Sequence, residues 1–105
     1  MNKKAEEIRI FDLRTLSSVT DFFVICTGST DVHVKAIYDE IDKELAQQHT
    51  DPNHVEGVER GRWILLDYID VVVHIFQPAI REFYGLERLW GDAEIEEVKD
   101  EQIAT

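Results

Sequence analysis

The stretch GRWILLDYIDVVVHIF, residues 61–76, decides the fold of this chain. Two apolar runs of strand length, Trp63 to Asp67 and Val71 to Phe76, meet at an acidic turn, which predicts two buried neighbouring strands. A short helix is expected next, because Pro78 suits the first helical turn and Gly85 suits a helix end. The apolar residues serve as core, but four polar residues lie in or beside these runs, where strand propensity alone favours valine or threonine: Asp67, Tyr68, Asp70 and His74.

The rest of the chain supplies the other elements of one α/β domain, residues 1–105. Apolar side chains at helical spacing predict an amphipathic helix from about Val32 to Gln48. Three further strands are predicted at Ile8 to Leu13, Asp21 to Thr27 and His54 to Glu59. The expected order is β-β-α-β-β-β-α, with about five strands in a mixed sheet and helices packed on it. The acidic end, from about residue 92 to residue 105, is predicted to be a mobile or weakly helical tail.

The net charge of −11, from 22 acidic and 11 basic residues, limits the partners of this protein. Such a charge repels a phosphate backbone, so little direct nucleic-acid binding is expected. A basic protein partner is favoured, because complementary potentials steer association. No stretch approaches the roughly 20 apolar residues of a membrane span, and the start MNKKAEE lacks the apolar segment of a secretory signal. We therefore expect no membrane association and a cytoplasmic location.

Four motifs, W-I-L-L-D-Y, V-V-V-H-I-F, R-E-F-Y and L-E-R-L-W, together resemble the ribosomal silencing factor family, also called the Iojap family. The resemblance extends over about residues 5 to 94 and implies a nucleotidyltransferase-like fold. It also implies that the protein binds the large ribosomal subunit through ribosomal protein uL14 at the inter-subunit face. There it would prevent the small subunit from joining and so lower translation. Assistance in large-subunit assembly, through the same contact, is the alternative.

A nucleotidyltransferase-like fold also raises metal-dependent nucleotide transfer as a function. Active members of that fold place a Gly-Ser turn ahead of two acids that alternate along a strand, where paired carboxylates hold divalent cations. Gly28 and Ser29 fit the turn, but the next acids fall in the predicted helix: Asp39, Glu40 and Asp42. The histidines show no metal-ligand spacing, and His74 is predicted to be a hydrogen-bonded structural residue. The sequence therefore favours a binding protein over an enzyme, with no cofactor and no metal site.

Aromatic and acidic residues around the Tyr68 turn favour a protein interface. Side chains alternate along a strand, so Trp63 and Asp67 share one face of the sheet while Ile64 and Leu66 form core on the other. Tyr68, at the tip of the turn, is expected to be exposed. The predicted partner-facing residues are Trp63, Asp67, Tyr68 and Asp70, with Arg81, Glu82 and Tyr84 nearby on the following helix. Because the apolar strands exceed what the helices can cover, a homodimer of the free protein is also predicted.

Overall fold

The strands predicted on either side of the acidic turn form with the bounds Trp63–Asp67 and Val71–Phe76. The structure, a computed structural model, describes residues 4–98 of the chain. In chain order its elements are β1 (Glu6–Asp12), β2 (Phe22–Thr27), α1 (Asp31–Gln47), β3 (His54–Glu56), β4 (Trp63–Asp67), β5 (Val71–Phe76), α2 (Pro78–Tyr84), α3 (Leu86–Leu89) and β6 (Glu94–Val98). The elements from β1 to α2 follow the predicted order.

Within residues 4–98 the strands form one six-stranded sheet in the order β3-β4-β5-β2-β1-β6. The central strands β2 and β5 are parallel, whereas the other neighbouring strands are antiparallel. His74 on β5 lies opposite Leu65 of β4 on one side and Ile25 of β2 on the other, so it is at the centre of the sheet. The predicted mixed α/β class is confirmed, with one more strand than expected. The nucleotidyltransferase-like detail stays a prediction.

The acidic end of the chain contributes the additional strand. β6 pairs antiparallel with β1, and Glu96 lies opposite Ile10. The Arg9 guanidinium on β1 forms ion pairs with Glu97 at 3.3 Å and with Glu87 at 2.7 Å. The prediction of a mobile or weakly helical tail is therefore wrong for Glu94–Val98, because backbone pairing with β1 and the ion pair of Arg9 with Glu97 order a segment with little apolar burial. The last seven residues of the predicted tail, 99–105, lie outside the described residues.

The helices cover different faces of the sheet. Thr30 caps the start of α1, because its hydroxyl accepts a hydrogen bond from the backbone N–H of His33 at 3.1 Å. It packs on the face that carries Ile64 and Leu66, which are fully buried as predicted. α2 and α3 lie against the opposite face, where the buried core consists of Phe11, Leu13, Ile25 and Phe76. We call these faces the α1 face and the α2 face. No helix within residues 4–98 is long and apolar enough to cross a membrane.

The loop that leads into β4 depends on a glycine. β3 ends at Glu56, earlier than the predicted Glu59, and Gly57 follows with a φ of 85°. Residues that carry a side chain rarely adopt this backbone conformation. A Cβ atom at Gly57 would also collide with the backbone carbonyl oxygen of Trp63. Gly57 therefore fixes how the chain enters the strand that carries Trp63.

We expect the substitution Gly57→Ala to lower the free energy of unfolding by about 2 kcal/mol or more, through backbone strain and collision. Urea denaturation followed by circular dichroism measures this change. Gly91→Ala is a matched control, because a Cβ atom there meets its nearest neighbour at 3.4 Å, an ordinary contact. Equal losses in the two variants would show that the Gly57 conformation carries no particular cost.

Candidate functional site

Trp63 and Tyr84 meet on the α2 face of the sheet, where β4 begins and α2 ends. Their ring centroids are 4.9 Å apart, and the Trp63 ring also lies 4.8 Å from that of Phe76. Tyr84 is 53% exposed, and Phe83, whose ring lies 5.1 Å from that of Tyr84, is 77% exposed. We refer to Trp63, Phe83 and Tyr84 as the aromatic surface. Exposed aromatic side chains that border a core are typical of protein-binding surfaces.

A depression of about 410 Å³ adjoins the aromatic surface. Its lining consists of Gly57, Glu59, Arg60, Arg62, Trp63, Ile80 and Tyr84. Arg60 and Arg62 are exposed, so this region offers guanidinium donors beside aromatic rings in a strongly acidic protein. Sequence reasoning missed both arginines, because they flank Gly61 in a predicted turn and carry no motif. Phe83 was missed as well, although two adjacent aromatic residues near the end of a short helix were a usable signal.

His74 lies in the α2 face behind the aromatic surface and is only 4% exposed. Its Nδ1 accepts a hydrogen bond from the indole Nε1–H of Trp63 at 3.1 Å. The Phe23 ring packs edge-on against the imidazole, with centroids 4.6 Å apart, and the Phe76 ring stacks at 5.9 Å. Burial lowers the pKa of His74 to about 4, so the ring is neutral at neutral pH. The prediction of a hydrogen-bonded structural histidine is confirmed.

The lowered pKa of His74 makes stability depend on pH. The folded-state pKa of about 4 lies below the ordinary value of 6.5, so the unfolded chain binds the proton more readily. His74 therefore destabilises the fold as the pH falls below the unfolded-state pKa. We expect this residue alone to lower the free energy of unfolding by about 2 kcal/mol between about pH 7 and about pH 5. The measurement compares denaturation of the wild type and His74→Phe at each pH; parallel stability curves would contradict the prediction.

The acidic turn lies at the other end of β4, away from the aromatic surface. Alternation places Trp63 and Asp67 on one face as predicted, but four residues of strand, about 13 Å, separate them. The Asp67 carboxylate accepts a hydrogen bond from the backbone N–H of Ile69 at 2.8 Å, which holds the turn between β4 and β5. Asp70 is exposed in the same turn. Asp67 and Asp70 therefore form an acidic group of their own.

Tyr68 belongs to the α1 face, and the prediction that it is exposed is wrong. Its side chain is partly buried against the core under α1. Its hydroxyl oxygen is also buried and has no hydrogen-bond partner within residues 4–98. Burial, and then the Asp42 carboxylate, raise the pKa of Tyr68. The chain turns the Tyr68 ring inward because it offers more apolar contact there than at the tip of the turn.

Arg81 is buried, which corrects its prediction as a contact residue. It is 8% exposed, and its Nε and Nη2 donate to the Glu87 carboxylate at 2.9 and 3.0 Å. Its Nη1 donates to Thr27 Oγ1 at 2.7 Å and to the carbonyl oxygen of Glu7 at 2.9 Å. Arg81 therefore fastens α2 to the sheet and acts on the aromatic surface only by positioning that helix. Its neighbour Glu82 is exposed.

Gly28 and Ser29 form the entry to α1. The backbone N–H of Ser29 donates to His33 Nδ1 at 2.8 Å, which leaves His33 Nε2 to donate to the Lys4 carbonyl oxygen at 2.8 Å. The acids that follow are in α1, as expected: Asp39, Glu40 and Asp42. Among residues 4–98 no group of three or more histidine, cysteine or acidic side chains is arranged to hold a metal ion. The turn and these acids do not reproduce the paired carboxylates of an active nucleotidyltransferase.

Comparisons with known proteins agree on one family. The family model described as "Ribosomal silencing factor during starvation" matches residues 1–105. Proteins named ribosomal silencing factor RsfS from Halalkalibacterium halodurans and Bacillus subtilis are each 42% identical over 92 residues, which is 88% of this chain and 79% and 78% of theirs. A mouse protein named mitochondrial assembly of ribosomal large subunit protein 1 is 30% identical over 91 residues, 84% of this chain and 40% of that protein.

Solved structures share the fold. A crystal structure of a Chromobacterium violaceum protein is similar with a TM-score of 0.82 and 36% identity over 85% of this chain and 74% of that one. A crystal structure from Bacillus halodurans gives a TM-score of 0.77 and 38% identity over 92% and 86% of the two chains. The family match over the full sequence and the shared fold show that this chain belongs to the ribosomal silencing factor family.

Proposed function

We propose that this protein binds the large ribosomal subunit through the aromatic surface and prevents the small subunit from joining. The observation that carries the proposal is the exposure of Phe83 and Tyr84 beside Trp63. Large rings of this kind bury much area at little entropic cost and supply the anchors of protein interfaces. The names of the relatives at 42% identity support a ribosome-associated silencing role. The partner is ribosomal protein uL14 at the inter-subunit face, as the family resemblance implies.

The proposed mechanism is steric. A domain that covers part of the joining surface excludes the small subunit without forming or breaking a bond. It therefore needs no cofactor and is not an enzyme. Such a protein acts in the cytoplasm, where free subunits meet.

The charge of the chain supports a basic partner. A net charge of −11 accelerates encounter with basic ribosomal proteins. Glu82, exposed beside the aromatic surface, can pair with an arginine or lysine of such a partner. Asp67 and Asp70 add negative potential from the far end of β4. Because exposed charges are screened, the association rate falls as the salt concentration rises.

Large-subunit assembly is the second candidate function. It is favoured by one comparison, the mouse protein whose name states that role, at 30% identity. Both functions use the same contact with the large subunit, but they differ in consequence. An assembly factor leaves mature subunits free to join, whereas a silencing factor does not.

Co-sedimentation with separated ribosomal subunits tests the proposed contact. We expect the protein to pellet with large subunits and to stay in the supernatant with small subunits. Equal binding to both subunits, or binding to neither, would overturn the proposal. Repeating the assay over a range of salt concentrations checks the electrostatic contribution.

We also predict that the free protein is a homodimer. Phe83 and Leu89, on α2 and α3, are 77% and 72% exposed, and burying such residues between two copies removes apolar area from water. Sedimentation equilibrium at high micromolar concentration is expected to show a dimer that Phe83→Ser weakens. Val32→Ser is a control, because Val32 is 66% exposed on α1. Wild-type protein that remains monomeric would refute the prediction. A dimer that uses the aromatic surface has to dissociate on the ribosome.

A further inference from the structure

The indole N–H of Trp63 is directed into the protein. It donates to His74 Nδ1 at 3.1 Å, although Trp63 lies at the border of the exposed aromatic surface. The imidazole that accepts this hydrogen bond is 4% exposed, so it is fixed by the sheet and does not follow the movements of surface side chains. The imidazole is also in contact with the aromatic rings of Phe23, Trp63 and Phe76. Trp63 is thus attached to a rigid acceptor.

The hydrogen bond defines the state of the histidine. A neutral imidazole has one acceptor nitrogen and one N–H. Since Nδ1 accepts from Trp63, the proton is on Nε2. Burial holds the pKa of His74 at about 4, so this neutral form is the one present at neutral pH. Protonation of Nδ1 would place two donors against each other and break the contact.

The histidine at this position carries a cost that an apolar residue would avoid. Its Nε2 is buried and has no hydrogen-bond partner within residues 4–98. A buried donor without a partner destabilises the folded state. The neighbours of His74 in the sheet, Leu65 and Ile25, are apolar, and a phenylalanine would suit the same place. Within residues 4–98 the one hydrogen bond that the imidazole makes is the one that Nδ1 accepts from Trp63.

We infer that His74 is a positioning residue for partner binding: it holds the Trp63 indole by its N–H, so that Trp63 presents ring atoms and not a hydrogen-bond donor to the partner. This inference rests on the proposed function and deepens it. With the indole fixed, the ring keeps its contact with Tyr84, and the aromatic surface is formed before binding. The partner group that meets Trp63 is therefore an apolar side chain or the face of a cationic one. A carbonyl or carboxylate oxygen of the partner would find no free indole N–H on Trp63 to donate a hydrogen bond to it.

Two substitutions separate positioning from packing. His74→Phe keeps an aromatic ring of similar size but removes the acceptor. His74→Asn removes the ring but places an amide oxygen close to the position of Nδ1. We expect His74→Phe to be the more stable variant and to bind large subunits about tenfold more weakly than wild type, because the indole loses its fixed partner. His74→Asn is expected to be less stable but to bind within about threefold of wild type. If the less stable variant, His74→Asn, also binds large subunits more weakly than His74→Phe, the inference is overturned.

A double-mutant cycle decides the matter if His74→Asn does not fold. Trp63→Phe removes the indole N–H, so adding His74→Phe to it is expected to cause no further loss of large-subunit binding. An equal loss in both backgrounds would show that His74 acts independently of Trp63.

The indole N–H resonance of Trp63, identified by its absence in Trp63→Phe, provides a readout that does not depend on the ribosome. We expect this proton to exchange with deuterium oxide at least about tenfold faster in His74→Phe than in wild type. An exchange rate that is the same in His74→Phe and in wild type would refute the positioning of Trp63 by His74. If wild-type protein fails to bind large subunits while the exchange behaves as expected, the proposed function is wrong and the positioning of Trp63 by His74 stands.

Discussion

Tyr84→Ala is expected to weaken binding to the large ribosomal subunit by about thirtyfold or more, which corresponds to about 2 kcal/mol. Tyr84 is 53% exposed at the end of α2, and its ring lies against both Trp63 and Phe83. Its removal takes away an anchor and also one wall of the site that fixes the Trp63 ring. The fold does not depend on it, because it is not part of either buried core. Binding is measured by titrated co-sedimentation and folding by circular dichroism.

Asp70→Lys is the matched test of the other end of β4. The sequence predicts a surface that includes the acidic turn, and Asp70 is exposed there. If the partner covers only the aromatic surface, reversing this charge slows association at low salt but leaves the complex stable. If Asp70→Lys abolishes binding and Tyr84→Ala does not, the contact surface lies at the turn and our assignment is wrong.

Arg81→Met is expected to lower the free energy of unfolding by about 4 kcal/mol at neutral pH. The substitution keeps much of the apolar stem but removes a buried charge that bonds Glu87, Thr27 and the carbonyl oxygen of Glu7. The buried Thr27 hydroxyl then loses its donor, and within residues 4–98 Glu87 keeps only its ion pair with Arg9. Since Arg81 fastens α2 to the sheet, the aromatic surface loses its support as well. Thermal and urea denaturation measure the loss.

The effect of Arg81→Met depends on pH in a definite direction. Hydrogen bonding to Arg81 is the main cause that lowers the pKa of Glu87 below its ordinary value of 4.5. The pair therefore stabilises the protein fully above that value, and the stabilisation is lost as the pH falls and Glu87 becomes protonated. The difference between wild type and variant is expected to shrink in acid. Arg88→Met is the control, because exposed Arg88 makes a single hydrogen bond to residues 4–98, of 3.3 Å to the Glu82 carbonyl oxygen. If Arg88→Met lowers the free energy of unfolding as much as Arg81→Met does, the buried hydrogen bonds of Arg81 have no special role in stability.

The central elements could be predicted because their local signals agree with their tertiary environment. β4 and β5 are apolar runs separated by an acidic turn, and α2 begins at a proline and ends before Gly85, whose φ of 58° suits a helix end. β6 could not be predicted, since Glu94–Val98 has no apolar periodicity and is ordered by pairing with β1 and by the ion pair of Arg9 with Glu97. Tertiary pairing overrides composition at this edge of the sheet.

The site was only partly predictable for a similar reason. Alternation along β4 placed Trp63 correctly, but a sequence pattern does not show which long side chains turn inward. Arg81 was expected near the partner-facing surface, and it is buried because Glu87 neutralises its charge. Tyr68 was expected outside because it adjoins a turn, and it packs under α1. The contact between Trp63 and His74 joins residues eleven positions apart on neighbouring strands, so register, and not spacing, brings them together.

The measurement that tests the proposed function most directly is subunit joining in the presence of this protein. Purified large and small subunits are mixed in a buffer that contains magnesium ions. Formation of the complete ribosome is followed by light scattering and by sucrose-gradient sedimentation. We expect wild-type protein at a concentration that just saturates the large subunits to block joining while it stays bound to them, and Tyr84→Ala at the same concentration to block joining much less. Complete ribosomes that form at the normal rate and extent, with wild-type protein bound to the large subunit, would contradict the silencing mechanism.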